Sequence, residues 1–317
     1  MRSRPSVTNA APEPPARWSR WQTTAESLAV LVASGLGLAW LAQRSQQTEL
    51  GQTVDQAGMD LVVGDAEATR RLLGWLGVVS VGTIALAVAG LVLVAVSRRR
   101  YEAAAAAVVL VAGANVTTQV LKRAVDRQDF GMLTVSSFPS GHATVTVSVA
   151  LAALVVTPTA VRGVVSALAT GAITVTAAAT LVASWHRPSD ILGAVLVSLA
   201  WGSALTALWT LVHGGVAHPP PEQHRIFSMI GFVVAVTALV VVGVRPGGGW
   251  TRLLDAGLVI AAVGSAAAVA VSVFAHLSAP MAAEPDTTPD ERRGEGAAAV
   301  AVAAADDAED VVRRASP

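Results

Sequence analysis

The chain is built from apolar runs of about 20 residues that alternate with short polar segments. Eight such runs lie at 25–43, 72–97, 101–121, 142–158, 160–183, 190–213, 226–244 and 253–279. A helix rises about 1.5 Å per residue, so a run of this length crosses the roughly 30 Å hydrocarbon core of a bilayer. The pattern predicts an all-α fold, a polytopic membrane helical bundle.

Composition supports this interpretation and excludes several classes of protein. Hydrophobic residues make up 53% of the chain and charged residues only 14%, whereas a soluble helical array carries more charge between its apolar stripes. Aromatic residues are only 4% of the chain, so the runs are expected to pack through Ala, Gly and Val. The absence of cysteine excludes disulfides, thiolate metal sites and cysteine nucleophiles. A net charge of zero gives no support to a nucleic-acid partner.

Arginine positions predict the orientation in the membrane. Basic residues cluster before the first run, between the second and third, and between the fourth and fifth: Arg2, Arg4, Arg17, Arg20, Arg98, Arg99, Arg100 and Arg162. All of these fall on one side, which the positive-inside rule makes cytoplasmic. Eight spans then leave both termini in the cytoplasm. The high Ala, Val and Arg content is typical of a GC-rich bacterial genome and predicts a bacterial plasma membrane.

The segments outside the runs have distinct characters. Residues 1–20 are predicted to form a flexible basic tail, and residues 280–317 a disordered C-terminal tail. The acidic loop 44–71 falls on the outer side. It is interpreted as a solvated segment, with a lid over a substrate as the alternative. Lys122, Arg123 and Arg127 also fall on the outer side, where basic residues are unexpected, and a bound polyanion would explain them.

Lys122 is the only lysine of the chain and precedes the sequence Pro139-Ser140-Gly141-His142. This sequence stands directly before an apolar run, so Ser140 is predicted to cap a helix and Gly141 to let a ligand approach the backbone. A helix N-terminus offers free N–H groups and the positive end of the helix dipole to an anion.

His186 and Asp190 stand four residues apart at the start of another run, on the same predicted face. A carboxylate at this spacing holds one imidazole nitrogen and leaves the other free to attack. Together with His142 and with Lys122 and Arg127 as fixed cations, the pair predicts a site of phosphoryl transfer with no metal and no cofactor.

These motifs resemble those of the superfamily of type 2 phosphatidic acid phosphatases and vanadium haloperoxidases. Its pattern is a Lys followed seven residues later by Arg-Pro, then Pro-Ser-Gly-His, then Ser-Arg, five residues, His, three residues and Asp. The second motif is intact here, and the third retains His186 and Asp190. The resemblance covers about residues 72–213. It implies a six-helix phosphatase-like core at 21–213, to which residues 214–279 add two transmembrane helices.

The resemblance also implies roles for individual residues. His186 would be the nucleophile that forms a phosphohistidine, Asp190 would orient it, and His142 would protonate the leaving oxygen. Lys122, Ser140 and Gly141 would hold the phosphate.

Two positions depart from the family pattern. Asp129 stands where the first motif has arginine, and Ala179 and Thr180 replace the Ser-Arg pair of the third. Arg127 and Arg187 are the candidate substitutes for the two missing cations. Asp129 is expected to weaken phosphate binding unless it points away or pairs with Arg123.

The leading hypothesis is therefore a membrane phosphatase that hydrolyses a lipid-linked phosphate or diphosphate at the extracytoplasmic face. A catalytically impaired member of the family that binds anionic lipid or a protein partner is the first alternative. A small transporter or channel ranks last because the runs carry almost no charge near their centres. The last two runs leave homo-oligomerisation open as a further alternative.

Overall fold

The computed structural model describes residues 20–79, 81–131, 136–213 and 221–282, and it is an all-α polytopic bundle. The two predicted tails, 1–20 and 280–317, fall almost entirely outside the described residues. Helix α1 begins at Arg20, and the described chain ends with the short helix Ala279–Ala282.

The helices are α1 (Arg20–Gln47), α2 (Glu49–Asp60), α3 (Ala66–Val78), α4 (Val81–Ser97), α5 (Tyr101–Ala124), α6 (Gly141–Val156), α7 (Arg162–Val182), α8 (Pro188–His213), α9 (Pro221–Val242), α10 (Leu253–Leu277) and α11 (Ala279–Ala282). Strands β1 (Val62–Gly64) and β2 (Val244–Pro246) form a two-stranded antiparallel ladder, in which Val63 is paired with Arg245. Single 3-10 turns, Thr159–Val161 and Trp250–Arg252, precede α7 and α10.

Six helices in the described chain are long and apolar enough to cross a membrane, and the pair α3–α4 raises the number to seven if it counts as one span. The predicted span 72–97 was wrong as a single helix. It is divided between α3 and α4, and Gly77 and Gly82, which are poor helix formers, flank the break. The predicted span 142–158 corresponds to α6, which has only 16 residues because Ser140 and Thr157 end it on either side.

Close packing around α8 depends on two glycines whose missing side chains leave room for aromatic rings. A Cβ atom added to Gly193 would lie 2.6 Å from the Phe138 ring, and one added to Gly202 would lie 2.5 Å from the Phe274 ring. Phe138 directly precedes the Pro-Ser-Gly-His motif, and Phe274 belongs to α10. Helix α10 therefore packs into the same hydrophobic core as α5, α6 and α8.

Two buried arginines hold one end of this bundle together. Arg100 donates to the carbonyls of Val155, at 3.0 Å, and Val156, at 2.9 Å. Arg162 donates to the carbonyls of Leu154, at 2.9 Å, and Ala275, at 2.8 Å. The last carbonyls of a helix have no partner within it, so these guanidinium groups cap the C-termini of α6 and α10. The Pro-Ser-Gly-His motif lies at the opposite end of α6.

Candidate active site

The Pro-Ser-Gly-His motif forms the N-terminus of α6. Ser140 is the N-cap, as expected, and its Oγ accepts a hydrogen bond from the Ala143 N–H at 3.3 Å. The Ser140 N–H donates to the Asp190 carbonyl at 2.8 Å, which ties this motif directly to α8. The first N–H groups of a helix lack partners within the helix, so Gly141 and His142 present an anion-binding end. Ser140 itself is fully buried, and its contact with a phosphate stays a prediction.

His186 and Asp190 come together at the start of α8. His186 Nδ1 lies 3.4 Å from Asp190 Oδ2, and both side chains are buried. The same carboxylate oxygen accepts hydrogen bonds from the Arg187 N–H, at 3.0 Å, and from the Ser137 hydroxyl. The His186 backbone N–H donates to the Thr180 carbonyl at 3.3 Å. These contacts place the Asp190 carboxylate on the Nδ1 side of the imidazole, so Nε2 is the nitrogen that is left to react.

His142 and Lys122 face His186 from the other two motifs. The His142 ring centroid lies 6.2 Å from that of His186 and 5.4 Å from that of Trp185. Lys122 Nζ lies 3.6 Å from the position that a Cβ atom on Gly141 would occupy. Side chains that are 64 residues apart in the sequence thus meet at one point, as the motifs predicted.

These groups form the polar end of a cavity of about 860 Å³. The polar end contains Lys122, Gly141, His142 and His186. The remaining walls are mostly apolar side chains of α4, α5 and α6, together with Val79 directly after α3: Val79, Ile84, Ala85, Val88, Ala89, Val92, Val108, Val111, Ala112 and Val145. The polar Asn115 and Gln119 complete the lining. The reactive groups therefore open into a long apolar groove.

Arg127 and Arg187, the two candidate substitute cations, lie beside Asp190 and do not line this cavity. Arg187 is buried, and it donates to Gln56 Oε1 at 3.2 Å and to Ser137 Oγ at 3.4 Å. Arg127 donates to Gln46 Oε1 at 3.3 Å. Burial and the neighbouring Arg187 lower the pKa of Arg127, and Asp55 and Asp190 partly oppose this effect. Direct contact of either arginine with a phosphate stays a prediction.

The two departures from the family pattern have clear structural positions. Asp129 is exposed, and its Oδ1 accepts a hydrogen bond from the Gly131 N–H at 2.8 Å, so it closes a turn of its own loop. Thr180 is fully buried, and its hydroxyl donates to the Ala177 carbonyl at 2.8 Å. Among the residues that the structure describes, neither Asp129 nor Thr180 is hydrogen-bonded to Lys122, the cation that lines the cavity.

The sequence interpretation missed the role of the acidic loop 44–71. Part of this loop is α2, and its Asp55 side chain is only 6% exposed, so a solvated segment is wrong for this face of the helix. Asp55, Gln56 and Ser137 all contact the start of α8 or Arg187. The signal was the helical spacing of four residues on one face: Gln52, Asp55, Gln56 and Met59. Because three of these side chains are polar, the face resembles one that is exposed to solvent.

Within the described ranges, no group of three or more His, Asp or Glu side chains is arranged to hold a metal ion. The site as built consists of two imidazoles, one buried carboxylate and the lysine. This set suits transfer of a phosphoryl group through a nitrogen nucleophile.

Comparison with protein families assigns residues 103–213 to the PAP2 superfamily. This segment runs from α5 to the end of α8 and contains all three motifs. Residues 103–213 are thus similar to the PAP2 superfamily, which bears out the resemblance to the type 2 phosphatidic acid phosphatases and suggests phosphatase activity. Neither the curated proteins nor the solved structures yield a match to this chain.

Proposed function

We propose that this membrane protein hydrolyses a lipid-linked phosphate or diphosphate through a phosphohistidine on His186, without a metal. The single observation that carries the proposal is the shape of the cavity: Lys122, His142 and His186 stand at one end of a groove with apolar walls. When the phosphate head group of a lipid binds at the polar end, the apolar part of the groove can hold its hydrocarbon chain.

The length of the groove supports a lipid substrate. Its α5 wall extends from Val108 to Lys122, which is about 21 Å at the 1.5 Å rise of a helix. Such a length exceeds half of the roughly 30 Å hydrocarbon core of a bilayer. A soluble sugar or nucleotide phosphate would leave most of these apolar walls unused, whereas an acyl or isoprenyl chain would cover them.

Two steps complete the reaction. His186 Nε2 attacks phosphorus, the phosphorus–oxygen bond to the lipid breaks, and the leaving oxygen takes a proton from His142. A water molecule then gives a proton to His142 and attacks the phosphohistidine, whose phosphorus–nitrogen bond breaks to release inorganic phosphate. Asp190 holds the Nδ1 side of the imidazole in both steps, and Lys122 and the N-terminus of α6 balance the charge on the phosphoryl oxygens.

The proposed setting is a bacterial plasma membrane, with both termini in the cytoplasm and the site on the outer side. The support is the charge distribution, since Arg98, Arg99 and Arg225 belong to the ends of helices opposite to the site.

A second candidate function is binding of anionic lipid without hydrolysis. It is favoured by one observation: Asp129 and Thr180 replace two arginines of the family pattern, and neither Arg127 nor Arg187 lines the cavity. The phosphate would then be held at the polar end but would lack the cations that stabilise its transition state.

Phosphate release by the purified protein in detergent separates the two candidates. The substrates are phosphatidic acid, an isoprenyl diphosphate and phosphatidylglycerol phosphate, each with EDTA present. His186→Ala is the test variant, and His213→Ala is its matched control because His213 is half-exposed and pairs with Glu102 at 3.0 Å, at the opposite end of α8.

Release by the wild type and by His213→Ala, but not by His186→Ala, is the expected result. Trapping of an acid-labile, base-stable phosphoryl group on the wild type would identify the phosphohistidine. Equal release by all three proteins, or release only after a metal is restored, would refute the mechanism. Lipid binding without release from any substrate would favour the second candidate.

A further inference from the structure

Helix α2 is attached to the first turn of α8 by a buried carboxylate. Asp55 Oδ1 accepts a hydrogen bond from the Ser189 N–H at 2.9 Å, and Asp55 Oδ2 accepts one from the Ser189 hydroxyl. Asp55 is 6% exposed and Ser189 is 4% exposed. The free N–H groups at the start of a helix are normally capped by a nearby residue of the same chain segment, so a cap from another helix fixes the position of α8 relative to α2.

The residue that Asp55 contacts, Ser189, is the sequence neighbour of Asp190, one of the residues proposed for catalysis. Ser189 directly precedes Asp190, which lies 3.4 Å from His186. The preceding Pro188 packs against α2, because a Cβ atom added to Gly58 would lie 2.9 Å from its ring. A shift of α2 would therefore move the turn that carries both members of the histidine–carboxylate pair.

The same helix also holds one of the cations. Gln56 Oε1 accepts from Arg187 Nε at 3.2 Å. An amide orients a guanidinium without neutralising it, in contrast to a carboxylate. The Gln52 side chain donates to the carbonyls of Gln46, at 2.9 Å, and Gln128, at 2.8 Å, and so ties α2 to the loop after α5.

Charged groups of two neighbouring segments act on Asp55. Arg187 and Asp190 face it from the start of α8, and Arg127 interacts with it from the loop after α5. Burial raises the pKa of Asp55 to about 6, and the two hydrogen bonds from Ser189 partly oppose this effect. The charge of Asp55 therefore changes in the range in which a phosphatase is commonly assayed.

We propose that Asp55 is a positioning residue of this phosphatase: through Ser189 it fixes the first turn of α8 and thereby the geometry of Asp190 and His186. This inference rests on the proposed function, because it assumes that His186 and Asp190 are catalytic. Helix α2 is then a part of the active site, although residues 49–60 lie outside the segment that matches the family.

The test compares Asp55→Asn with Glu49→Gln, which is the same carboxylate-to-amide change on an exposed position of the same helix. Asparagine resembles a protonated aspartate, since it offers one acceptor and one donor group instead of two acceptors. Small misplacements of catalytic groups are costly, so kcat/KM of Asp55→Asn should fall about tenfold, with most of the loss in kcat. Glu49→Gln should keep the wild-type values.

The pH profile provides a readout that a merely structural role would not change. Wild-type kcat/KM should fall as the pH drops through about 6, where Asp55 takes up a proton. For Asp55→Asn, kcat/KM should not fall in this pH range. It should equal the low-pH value of the wild type at every pH. The double variant Asp55→Asn/Ser189→Ala should be no worse than the more affected single variant, because both substitutions remove the same contact.

Binding of inorganic phosphate distinguishes the failure of this inference from the failure of the proposed function. It is measured as the rise in melting temperature with phosphate concentration, which needs no catalysis. If the wild type binds phosphate but hydrolyses nothing, weaker binding by Asp55→Asn than by Glu49→Gln still supports positioning. Wild-type activity, pH profile and phosphate binding in a folded Asp55→Asn would overturn the inference. A wild type that neither binds nor hydrolyses phosphate would overturn both proposals.

Discussion

His186 Nδ1 lies 3.4 Å from Oδ2 of Asp190, and neither side chain has more than 9% of its surface exposed. Asp190 also accepts a hydrogen bond from the Arg187 N–H at 3.0 Å and one from the Ser137 hydroxyl. These two donors hold the carboxylate on the Nδ1 side of the imidazole. A carboxylate in this position favours the tautomer with the proton on Nδ1 and the lone pair on Nε2.

The first prediction concerns Asp190→Asn. An asparagine can turn its NH₂ group toward Nδ1, which favours the wrong tautomer and removes the lone pair from Nε2. In a serine protease triad the corresponding change lowers kcat about 10⁴-fold, and we expect a loss of at least a hundredfold here. The measurement is kcat for the best substrate, with circular dichroism to establish folding. A folded Asp190→Asn protein with near wild-type kcat would show that Asp190 does not orient the nucleophile.

The sequence was sufficient to predict most of the long apolar helices and the meeting of the three motifs, but not α2 or the break between α3 and α4. Apolar runs define membrane helices almost independently of tertiary structure. Lys122, His142 and His186 could be assigned to one site because each stands at the end of such a run on the same predicted face. The N-cap role of Ser140 was predictable for a similar reason, since a cap depends on the residues that follow it in the chain.

The position of α2 could not be predicted. Its buried face contains Gln52 and Asp55, and a polar face is expected to meet water unless a specific partner is known. That partner is the first turn of α8, which lies more than 130 residues away in the sequence. The burial of Arg162 could not be predicted for a similar reason. Its acceptors are carbonyls of α6 and α10, and these come within reach of one side chain only when the two helices pack together.

Arg127 carries the second prediction. Its Nε and Nη2 atoms are buried and have no hydrogen-bond acceptor within the described part of the chain. Although Arg127 does not line the cavity, we predict that a phosphate oxygen of the substrate reaches these two nitrogens. Hydrogen bonds to charged groups contribute about 1.5–3 kcal/mol, so Arg127→Ala should raise KM at least tenfold. Arg127→Ala should at the same time raise the melting temperature of the free protein, because it removes two buried nitrogen donors that have no acceptor.

Arg123→Ala is the control for Arg127→Ala. Arg123 is exposed in the same segment, so its removal changes the overall charge equally but no buried group. Its KM and melting temperature should match the wild type. Equal changes in both variants would mean that only the general positive charge at this end of α5 matters.

The third prediction is the effect of pH on stability through Asp55. Burial raises the pKa of its carboxyl from 3.8 to about 6, so folding favours the protonated form. The resulting stabilisation is complete below about pH 4 and is lost as the pH rises through about 6. The difference between the two pKa values corresponds to roughly 3 kcal/mol.

The comparison that isolates this effect is the wild type against Asp55→Asn. The melting temperature of the wild type should fall relative to that of the variant between pH 4.5 and pH 7, since the variant has no proton to lose there. All other titrating groups are common to both proteins and cancel. A constant difference over this range would mean that Asp55 is not the buried titrating group described here.

The fourth prediction tests the packing beneath the Pro-Ser-Gly-His motif. A Cβ atom on Gly193 would lie 2.6 Å from the Phe138 ring, which is fully buried and cannot move without shifting Pro139. Overpacking of this kind costs about 1–3 kcal/mol, and Gly193→Ala should lower both the melting temperature and kcat. Gly35→Ala is the matched control because nothing lies within 4 Å of its added Cβ atom. If both variants behave alike, Phe138 is not held in place by Gly193.

The fifth prediction addresses the apolar groove. Ala112 lines the groove on α5, ten residues before Lys122, and thus about 15 Å from the polar end at the 1.5 Å rise of a helix. Ala112→Phe should block a long hydrocarbon chain but leave the space around His142 and His186 open. Its kcat/KM should fall about tenfold or more for a phosphatidic acid with long chains and stay near wild type for one with short chains, because each excluded CH₂ group removes about 0.8 kcal/mol. Val109→Phe is the control, since Val109 is exposed on the same helix and does not line the groove. Equal losses for long and short chains in Ala112→Phe would mean that the lipid chain takes another path.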